Sequence, residues 1–258
     1  MNEQACAALA QLNEIIVKLT GPDGCPWDRE QTPRSLADYV IEESHELVAA
    51  IRSGNSDAVC DEMGDVLFLL LFIAHLYGGS FSFADALAHS AAKMVRRHPH
   101  VFGDAKFASR DEQLKAWEGL KKREHGGAGI FASLPASLPP LIKAYRIHSK
   151  AARAGFTWPS DEEAERQVEA EWLEWLDARE QAQDDLKLHE LGDIIFTLVE
   201  LGRRHGIKAS DAVDLACSRF LARFAIMEKL AAEQGRDIAA MSLAEQDELW
   251  LSAKEAGS

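Results

Sequence analysis

Carboxylate side chains occur in pairs on two neighbouring segments of the N-terminal half of the chain. The first pair is Glu43 and Glu46, with Glu42 at its edge, and the second pair is Glu62 and Asp65. Side chains three residues apart project from the same face of a helix, so each pair can reach one ligand. Both pairs interrupt the apolar stripe of their segment instead of lying opposite it. The pattern therefore indicates a binding site for a positive charge.

Four or five carboxylates in a small volume need a counter-charge, because burying even one unpaired anion costs several kcal/mol. An oxygen-only set of ligands, without cysteine and without an obligatory histidine, favours Mg²⁺ over zinc or copper, with Mn²⁺ as a substitute. The alternative is a solvated acidic face, which is the commoner meaning of glutamates on a helix. It does not explain why the carboxylates interrupt the apolar stripes, so we predict a Mg²⁺ site.

Two helices joined by a short turn would hold these carboxylates face to face. Apolar residues recur at helical spacing from Leu36 to Ile51 and from Val59 to Ile73, and the polar segment 53–56 separates the two runs. The pattern predicts an antiparallel helical hairpin. The alternating pattern of a β-strand is not found over a convincing length, so the sequence predicts an all-α fold.

The carboxylate hairpin is repeated in the second half of the chain. The two pairs return, with the same interval between them, as Glu171, Glu174, Glu190 and Asp193. Ala170 stands where the first copy has Glu42, so the second copy has four site carboxylates. The segment 126–140 is rich in Gly, Ser and Pro, as linkers are. We therefore predict an N-terminal module at 1–125 and a C-terminal module at 141–258.

Cationic and aromatic side chains are matched between the two copies as well. They are Lys93, Arg97, Trp117 and Lys121 in the first copy, and Arg219, Arg223, Trp250 and Lys254 in the second. Cations one helix away from a metal suit phosphate oxygens, and an aromatic ring can stack on a base. These features indicate a nucleoside polyphosphate as substrate, with one carboxylate acting as general base towards an attacking water.

The composition argues against several other kinds of protein. A formal net charge of −14 is unfavourable for binding a nucleic-acid backbone, which needs a clustered cationic surface. The start of the chain lacks the features of a secretory signal, and the apolar run 66–74 is far shorter than the roughly 20 residues that span a bilayer. The four cysteines form no C-x-x-C pair. We expect a cytoplasmic protein that binds neither nucleic acid nor membrane.

Two further runs in the first copy identify a family. They are Gly-Cys-Pro-Trp-Asp at 24–28 and Arg-Arg-His-Pro-His-Val-Phe at 96–102. With E-x-x-E followed by E-x-x-D found twice, they make the chain resemble the tandem, two-domain form of the MazG nucleoside triphosphate pyrophosphohydrolases along nearly its whole length. The motif alone is weak, since Glu-rich helices are common. Its repetition beside these two runs makes the resemblance specific.

The resemblance implies an all-α fold of two tandem helical-bundle modules, with each bundle completed by the partner chain of a homodimer. It implies Mg²⁺-dependent hydrolysis of NTPs or dNTPs to the monophosphate and pyrophosphate, by water attack at the α-phosphorus. It further implies that several bases are accepted and that the role is removal of unwanted nucleotides. By motif match, the catalytic and metal-binding residues are Glu43, Glu46, Glu62, Asp65, Glu171, Glu174, Glu190 and Asp193, with Glu42 as a further metal ligand. The substrate contacts are Lys93, Arg97, Trp117, Lys121, Arg219, Arg223, Trp250 and Lys254.

Three alternatives stay open at this point. An oxygen-handling dimetal bundle needs Glu-x-x-His on two helices, whereas only Glu42 and His45 offer that spacing and the second copy has Ala170 and Leu173 there. A non-enzymatic module could use the duplicated carboxylates for docking. In a regulatory hybrid, one module is catalytic and the other binds nucleotide without hydrolysing it. Ala170 leaves the minimal motif of the second copy intact but removes its fifth carboxylate, so whether both halves turn over substrate stays open at this point.

Overall fold

The structure, a computed structural model, describes residues 2–124, 129–181 and 184–256. Within these ranges the regular secondary structure consists of α-helices and one 3₁₀ turn, and no strand is present. The predicted all-α class is confirmed. The chain divides into two compact units, Met1–Ala108 and Ser109–Ser258. The segment 126–140, which we predict as the linker, belongs to the second unit in this division.

The first unit contains six helices among its described residues. They are α1 (Glu3–Thr20), α2 (Pro26–Arg29), α3 (Leu36–Ser53), α4 (Ser56–Leu76), α5 (Phe83–Arg97) and α6 (Pro99–Phe102). The described part of the second unit contains α7 (Arg110–Glu124), α8 (Pro140–Arg153), α9 (Asp161–Glu180), α10 (Asp184–Arg204), α11 (Ala209–Glu233), a 3₁₀ turn (Ile238–Ala240) and α12 (Leu243–Ala256). None of the described helices is both long enough and apolar enough to cross a membrane.

A two-residue turn closes the first hairpin, formed by α3 and α4. Gly54 ends α3 with φ +71°, a left-handed conformation that glycine adopts without a steric penalty. The side chain of Asn55 then accepts hydrogen bonds from the backbone N–H groups of Asp57 (3.0 Å) and Ala58 (3.3 Å), which caps α4. The two helices pack along each other, so the predicted hairpin is present.

The core of the first unit lies where α1 and the start of α3 pack on the second half of α4. Ile16, Leu36, Leu69, Leu71 and Phe72 form this cluster. The apolar stripe predicted along α3 is only partly covered, since Ile51 keeps 57% of its surface exposed while Val40 and Leu47 are half-buried. The reason is that α3 packs mainly on α4 within its unit.

The second unit builds its core differently. Helix α10 packs on α9 and α8, and a separate apolar cluster of Met227, Ala231, Met241, Leu249 and Ala253 joins α11 to α12. Gly155 follows α8 with φ +89°, where a side chain would strain the backbone. The pairing of α9 with α10 repeats the hairpin of α3 with α4, as the duplication in the sequence predicts.

An ionic network is buried against α10. The carboxylate of Glu200 is 1% exposed and accepts hydrogen bonds from Arg203 (2.6 and 2.8 Å) and from the hydroxyl of Thr157 (3.1 Å). His148 on α8 lies 3.6 Å from the same carboxylate. Burial alone would raise the pKa of Glu200, but the hydrogen bonds and charge of Arg203 and the bond from Thr157 hold it below its usual value. The sequence analysis did not predict this network.

Candidate metal centres

The first hairpin gathers carboxylates from both of its helices. Oxygen atoms of Glu43 on α3 and of Glu62 and Asp65 on α4 lie within 4.8 Å of one another. Glu43 and Glu62 are half-buried and Asp65 is exposed. Glu46 lies close enough to Glu62 for its negative charge to raise the pKa of Glu62, so Glu46 adjoins the triplet. Glu42 is exposed at the edge of the group, and its charge acts on Glu43.

This crowding changes the acidity of the first site. Burial, followed by the negative charges of Glu46, Asp65 and Glu62, raises the pKa of Glu43 above its usual value. Burial and the charges of Glu46 and Asp65 likewise raise the pKa of Glu62. Glu43 and Glu62 therefore resist ionisation, first because of burial and then because their neighbours are acidic. A cation at the centre would remove this repulsion.

The second hairpin holds its own triplet. Oxygen atoms of Glu171 and Glu174 on α9 and of Glu190 on α10 lie within 4.8 Å of one another. Glu190 is buried, with 8% of its surface exposed. The two triplets do not contain the same positions of the repeat. Glu174 belongs to the second triplet, whereas Asp193 lies outside it. Ala170 supplies no carboxylate at the edge.

Two polar residues that the sequence analysis missed contact the second site. The side-chain amide of Gln167 donates a hydrogen bond to Oε1 of Glu171 at 2.8 Å. The ring Nε2 of His189 lies 3.3 Å from Oδ2 of Asp193. Both contacts are between residues four apart on one helix, a spacing that the sequence displays. Comparison with the first copy does not predict either contact, because Tyr39 stands there in place of Gln167 and Asp61 in place of His189.

The donor sets suit a hard divalent cation. The oxygens of each triplet lie within 4.8 Å of one another, so the three carboxylates of a triplet would be able to hold one such cation between them. The triplets contain only carboxylate oxygens, and the partial exposure of each leaves room for the waters that Mg²⁺ retains. The residues present therefore fit Mg²⁺ or Mn²⁺.

The predicted substrate-binding residues are placed differently in the two units. In the second unit, the guanidinium of Arg223 lies 5.8 Å and the ammonium of Lys254 lies 6.0 Å from the ring centroid of Trp250. This brings a cation from α11 and a cation from α12 to one indole ring. Arg219 is exposed on α11, one turn before Arg223. Helix α11 also packs on α10, which carries Glu190.

The corresponding set of the first copy is divided between the two units. Lys93 and Arg97 are half-buried one turn apart on α5, and α5 packs on α4. Trp117 is half-buried on α7, which belongs to the second unit. The side chain of Lys121 lies outside the described residues.

The fold and the sites define an all-α protein with two hairpins, each carrying a candidate divalent-metal centre. Residues 31–102 match the sequence profile of the MazG nucleotide pyrophosphohydrolase domain. The chain is 34% identical over 256 residues to the nucleoside triphosphate pyrophosphohydrolase/pyrophosphatase MazG of Thermotoga maritima, covering 98% of both chains. It is 35% identical over 252 residues to the nucleoside triphosphate pyrophosphohydrolase of Escherichia coli strain K12, covering 95% of this chain and 96% of that one.

A further relative is YabN of Bacillus subtilis strain 168, named as an uncharacterized protein. The identity is 39% over 246 residues, which cover 93% of this chain and 50% of YabN. The similarity to the first two relatives extends over nearly the full length of each, at more than 30% identity. The chain belongs to the MazG family. The resemblance predicted from the motifs is confirmed, and the predicted enzyme class, a hydrolase of phosphoanhydrides, is the class that these relatives' names give.

Proposed function

We propose that the chain hydrolyses nucleoside triphosphates and deoxynucleoside triphosphates to the monophosphate and pyrophosphate, in a Mg²⁺-dependent reaction that Mn²⁺ also supports. Water attacks the α-phosphorus, several bases are accepted, and the role is removal of unwanted nucleotides. The observation that carries the proposal is the pair of carboxylate triplets, each assembled from two helices of a hairpin. The names of the two full-length relatives supply the reaction.

In this proposal the metal is held by Glu43, Glu46, Glu62 and Asp65 in the first unit, and by Glu171, Glu174, Glu190 and Asp193 in the second. A bound Mg²⁺ neutralises phosphate charge and polarises the attacking water. Glu46 adjoins the first triplet, since its charge raises the pKa of Glu62, and it is exposed. These features suit it to accept the proton of the attacking water as general base.

Cations and an aromatic ring complete the proposed substrate site of the second unit. Arg223 on α11 and Lys254 on α12 both lie at cation–π distance from the ring of Trp250, which is itself on α12. A base stacked on this ring would bring its phosphates towards the same cations. Lys93 and Arg97 are assigned the phosphate contacts of the first unit.

The asymmetry of the two sites favours one variant of this proposal. The first site is crowded with carboxylates whose pKa values are raised, whereas the second has a buried glutamate and an amide donor. Such different surroundings give the two sites different metal affinities. A chain in which one unit hydrolyses nucleotide and the other only binds it is therefore the second candidate.

A homodimer is the proposed assembly. Apolar side chains stand exposed at helical spacing on the carboxylate hairpins of both units, on α3 and α4 as well as α10. They include Ile41, Val48, Met63, Leu70, Leu188, Leu191, Ile195 and Leu198. Exposed apolar side chains grouped on one helix face are typical of surfaces that associate with another protein chain. Light scattering after size exclusion should give twice the mass of one chain; the mass of one chain would contradict the dimer.

The test of the reaction measures pyrophosphate release from a panel of NTPs and dNTPs, with Mg²⁺ and with a chelator. The whole chain is compared with Glu62→Gln and Glu190→Gln. We expect metal-dependent pyrophosphate with the monophosphate as co-product. Each substitution should lower the turnover of its own unit by orders of magnitude while the helix content by circular dichroism is kept.

Matched controls are Glu14→Gln on α1 and Glu165→Gln on α9, which remove the same charge from exposed positions outside both triplets. They should leave turnover unchanged. Loss of activity in only one of the two site variants would establish the catalytic-plus-binding chain. Orthophosphate with the diphosphate would contradict attack at the α-phosphorus, and no turnover of any nucleotide would favour the docking module.

A further inference from the structure

The second metal centre contains a side chain whose contacts fit a positioning role. Gln167 lies on α9, four residues before Glu171, and both side chains are half-buried. Its amide N–H donates to Oε1 of Glu171 at 2.8 Å, and a hydrogen bond of this length restricts the rotation of the carboxyl group. Glutamine has no charge, so it orders the carboxylate without competing with a cation for the site.

Glu171 needs such a partner because of its neighbours. Oxygens of Glu174 and Glu190 lie within 4.8 Å of its own, and the negative charges repel. A glutamate has three rotatable side-chain bonds, so without a donor it gains both entropy and relief from repulsion by turning to solvent. The Gln167 hydrogen bond opposes this and occupies one of the carboxylate's two oxygens. This leaves Oε2 and the second lone pair of Oε1 as acceptor positions for a cation.

The first centre lacks this device. The residue four positions before Glu43 is Tyr39, whose ring packs edge-on against Trp27 at a centroid distance of 5.8 Å. The first centre instead has Glu42 at its edge, where the second has Ala170. The second centre thus has one carboxylate fewer and one amide donor more than the first.

We propose that Gln167 is a positioning residue of the second metal centre, which holds Glu171 in the orientation that binds the divalent cation. This inference rests on the proposed function, because it assumes that the triplet of Glu171, Glu174 and Glu190 binds metal. Partners of metal ligands in other proteins change metal affinity by about 10- to 100-fold when removed. The same effect should appear here, confined to the second unit.

The test uses the full chain with Glu62→Gln, so that metal binding at the first centre is weakened and the second dominates. Mn²⁺ binding is measured by titration calorimetry before and after Gln167→Met, which keeps the length of the side chain and its preference for helix but removes the donor. We expect Mn²⁺ affinity to fall about tenfold. The thermal midpoint of the metal-free protein should not change, which separates positioning from a structural role.

Arg166→Leu is the matched control, since it changes the adjacent exposed residue of α9, whose ion-pair partner is Glu163. It should leave Mn²⁺ affinity unchanged. Glu190→Gln in the same background tests the assumption beneath the proposal. If Glu190→Gln weakens Mn²⁺ binding and Gln167→Met does not, the positioning role is wrong and the metal centre stands. If Glu190→Gln has no effect, the metal centre and the positioning role are both wrong.

Discussion

The two hairpins share a plan of carboxylates but are supported by different cores. Phe72 and Glu200 hold the same place in the repeats, ten residues after Glu62 and Glu190 respectively. Both side chains are 1% exposed. An aromatic ring therefore fills this place in the first unit, and an ionised network fills it in the second. Carboxylates that persist on such different supports are not a by-product of packing, which favours a role in binding.

The surroundings of the carboxylates differ in the same direction. The first site concentrates negative charge, and its raised pKa values record the resulting repulsion. At the second site, two of the carboxylates have polar partners: Gln167 donates a hydrogen bond to Glu171, and His189 lies beside Asp193. A cation bound at the first site would therefore relieve more repulsion than one bound at the second.

The largest expected effect is on the two core positions. Glu200→Ala removes the counter-charge of Arg203 inside the fold and should lower the free energy of unfolding of the second unit by about 3–5 kcal/mol. Phe72→Ala should cost the first unit a similar amount, about 3–5 kcal/mol, through a cavity. Urea unfolding followed by circular dichroism measures both changes.

Glu200→Gln separates the two mechanisms, because it keeps the shape of the side chain and removes only its charge. Most of the loss should remain, since Arg203 then lacks its counter-charge. Phe72→Leu, which keeps an apolar side chain, should be much milder than Phe72→Ala. A mild effect of Glu200→Gln would mean that packing, and not the ionic network, supports the second unit.

The next effect is an opposite response of the two units to acid. The raised pKa values of Glu43 and Glu62 mean that the folded first unit binds protons more tightly than the unfolded chain, so without metal it gains stability as pH falls. In the second unit, burial lowers the pKa of His148 below its usual 6.5, against the opposing effects of Glu200 and a backbone carbonyl. The contribution of neutral His148 to the stability of the second unit is therefore present above about pH 6.5, and it is lost as pH falls towards the lowered pKa.

Calorimetric unfolding of the metal-free chain at several pH values from about 8 down to about 4.5 measures both responses. Glu62→Gln should raise the thermal midpoint of the first unit at the higher pH and reduce its dependence on pH, because it relieves the repulsion. Mg²⁺ should also raise the thermal midpoint of the first unit of the unaltered chain at the higher pH, and it should have little effect on the thermal midpoint of the first unit of Glu62→Gln. A lower midpoint for Glu62→Gln in the absence of metal would show that the crowding is not a cost to the fold.

Much of this comparison was predictable from the sequence, and the rest was not for identifiable reasons. Glu43, Glu62 and Asp65 could be placed together because helical periodicity and a short turn fix the register of a hairpin. The exposure of Ile51 could not, because periodicity shows which face is apolar but not what covers it. The sequence analysis did not predict the buried role of Glu200, although Glu200 aligns with Phe72 of the first repeat and is followed three residues later by Arg203. Comparing the two copies at core positions, and not only at charged motifs, would have found it.

The smallest expected effect concerns a helix cap that both units use. Asp85 accepts hydrogen bonds from the backbone N–H (2.8 Å) and hydroxyl (2.6 Å) of Ser82 at the start of α5. Glu245 does the same for Ser242 before α12 (2.8 and 2.7 Å) and also accepts from Arg236 (2.7 Å). The bonds from Ser242 and Arg236 lower the pKa of Glu245 to about 2, and the bonds from Ser82 lower the pKa of Asp85. Both carboxylates therefore stabilise the fold above their usual pKa and lose that contribution in acid, Glu245 between about 4.5 and 2.

Glu245→Gln should destabilise its unit more than Asp85→Asn destabilises the other, because only Glu245 has a cationic partner. Each amide keeps an acceptor oxygen for the cap, so the substitutions remove mainly charge. Thermal unfolding at neutral pH and low salt measures the difference between them. Added salt should reduce that difference, since the pair of Arg236 and Glu245 is partly exposed and is screened. Equal losses of stability for Glu245→Gln and Asp85→Asn at low salt would show that Arg236 adds nothing to the cap. The caps of the two units would then be equivalent, although the cores of the two units differ.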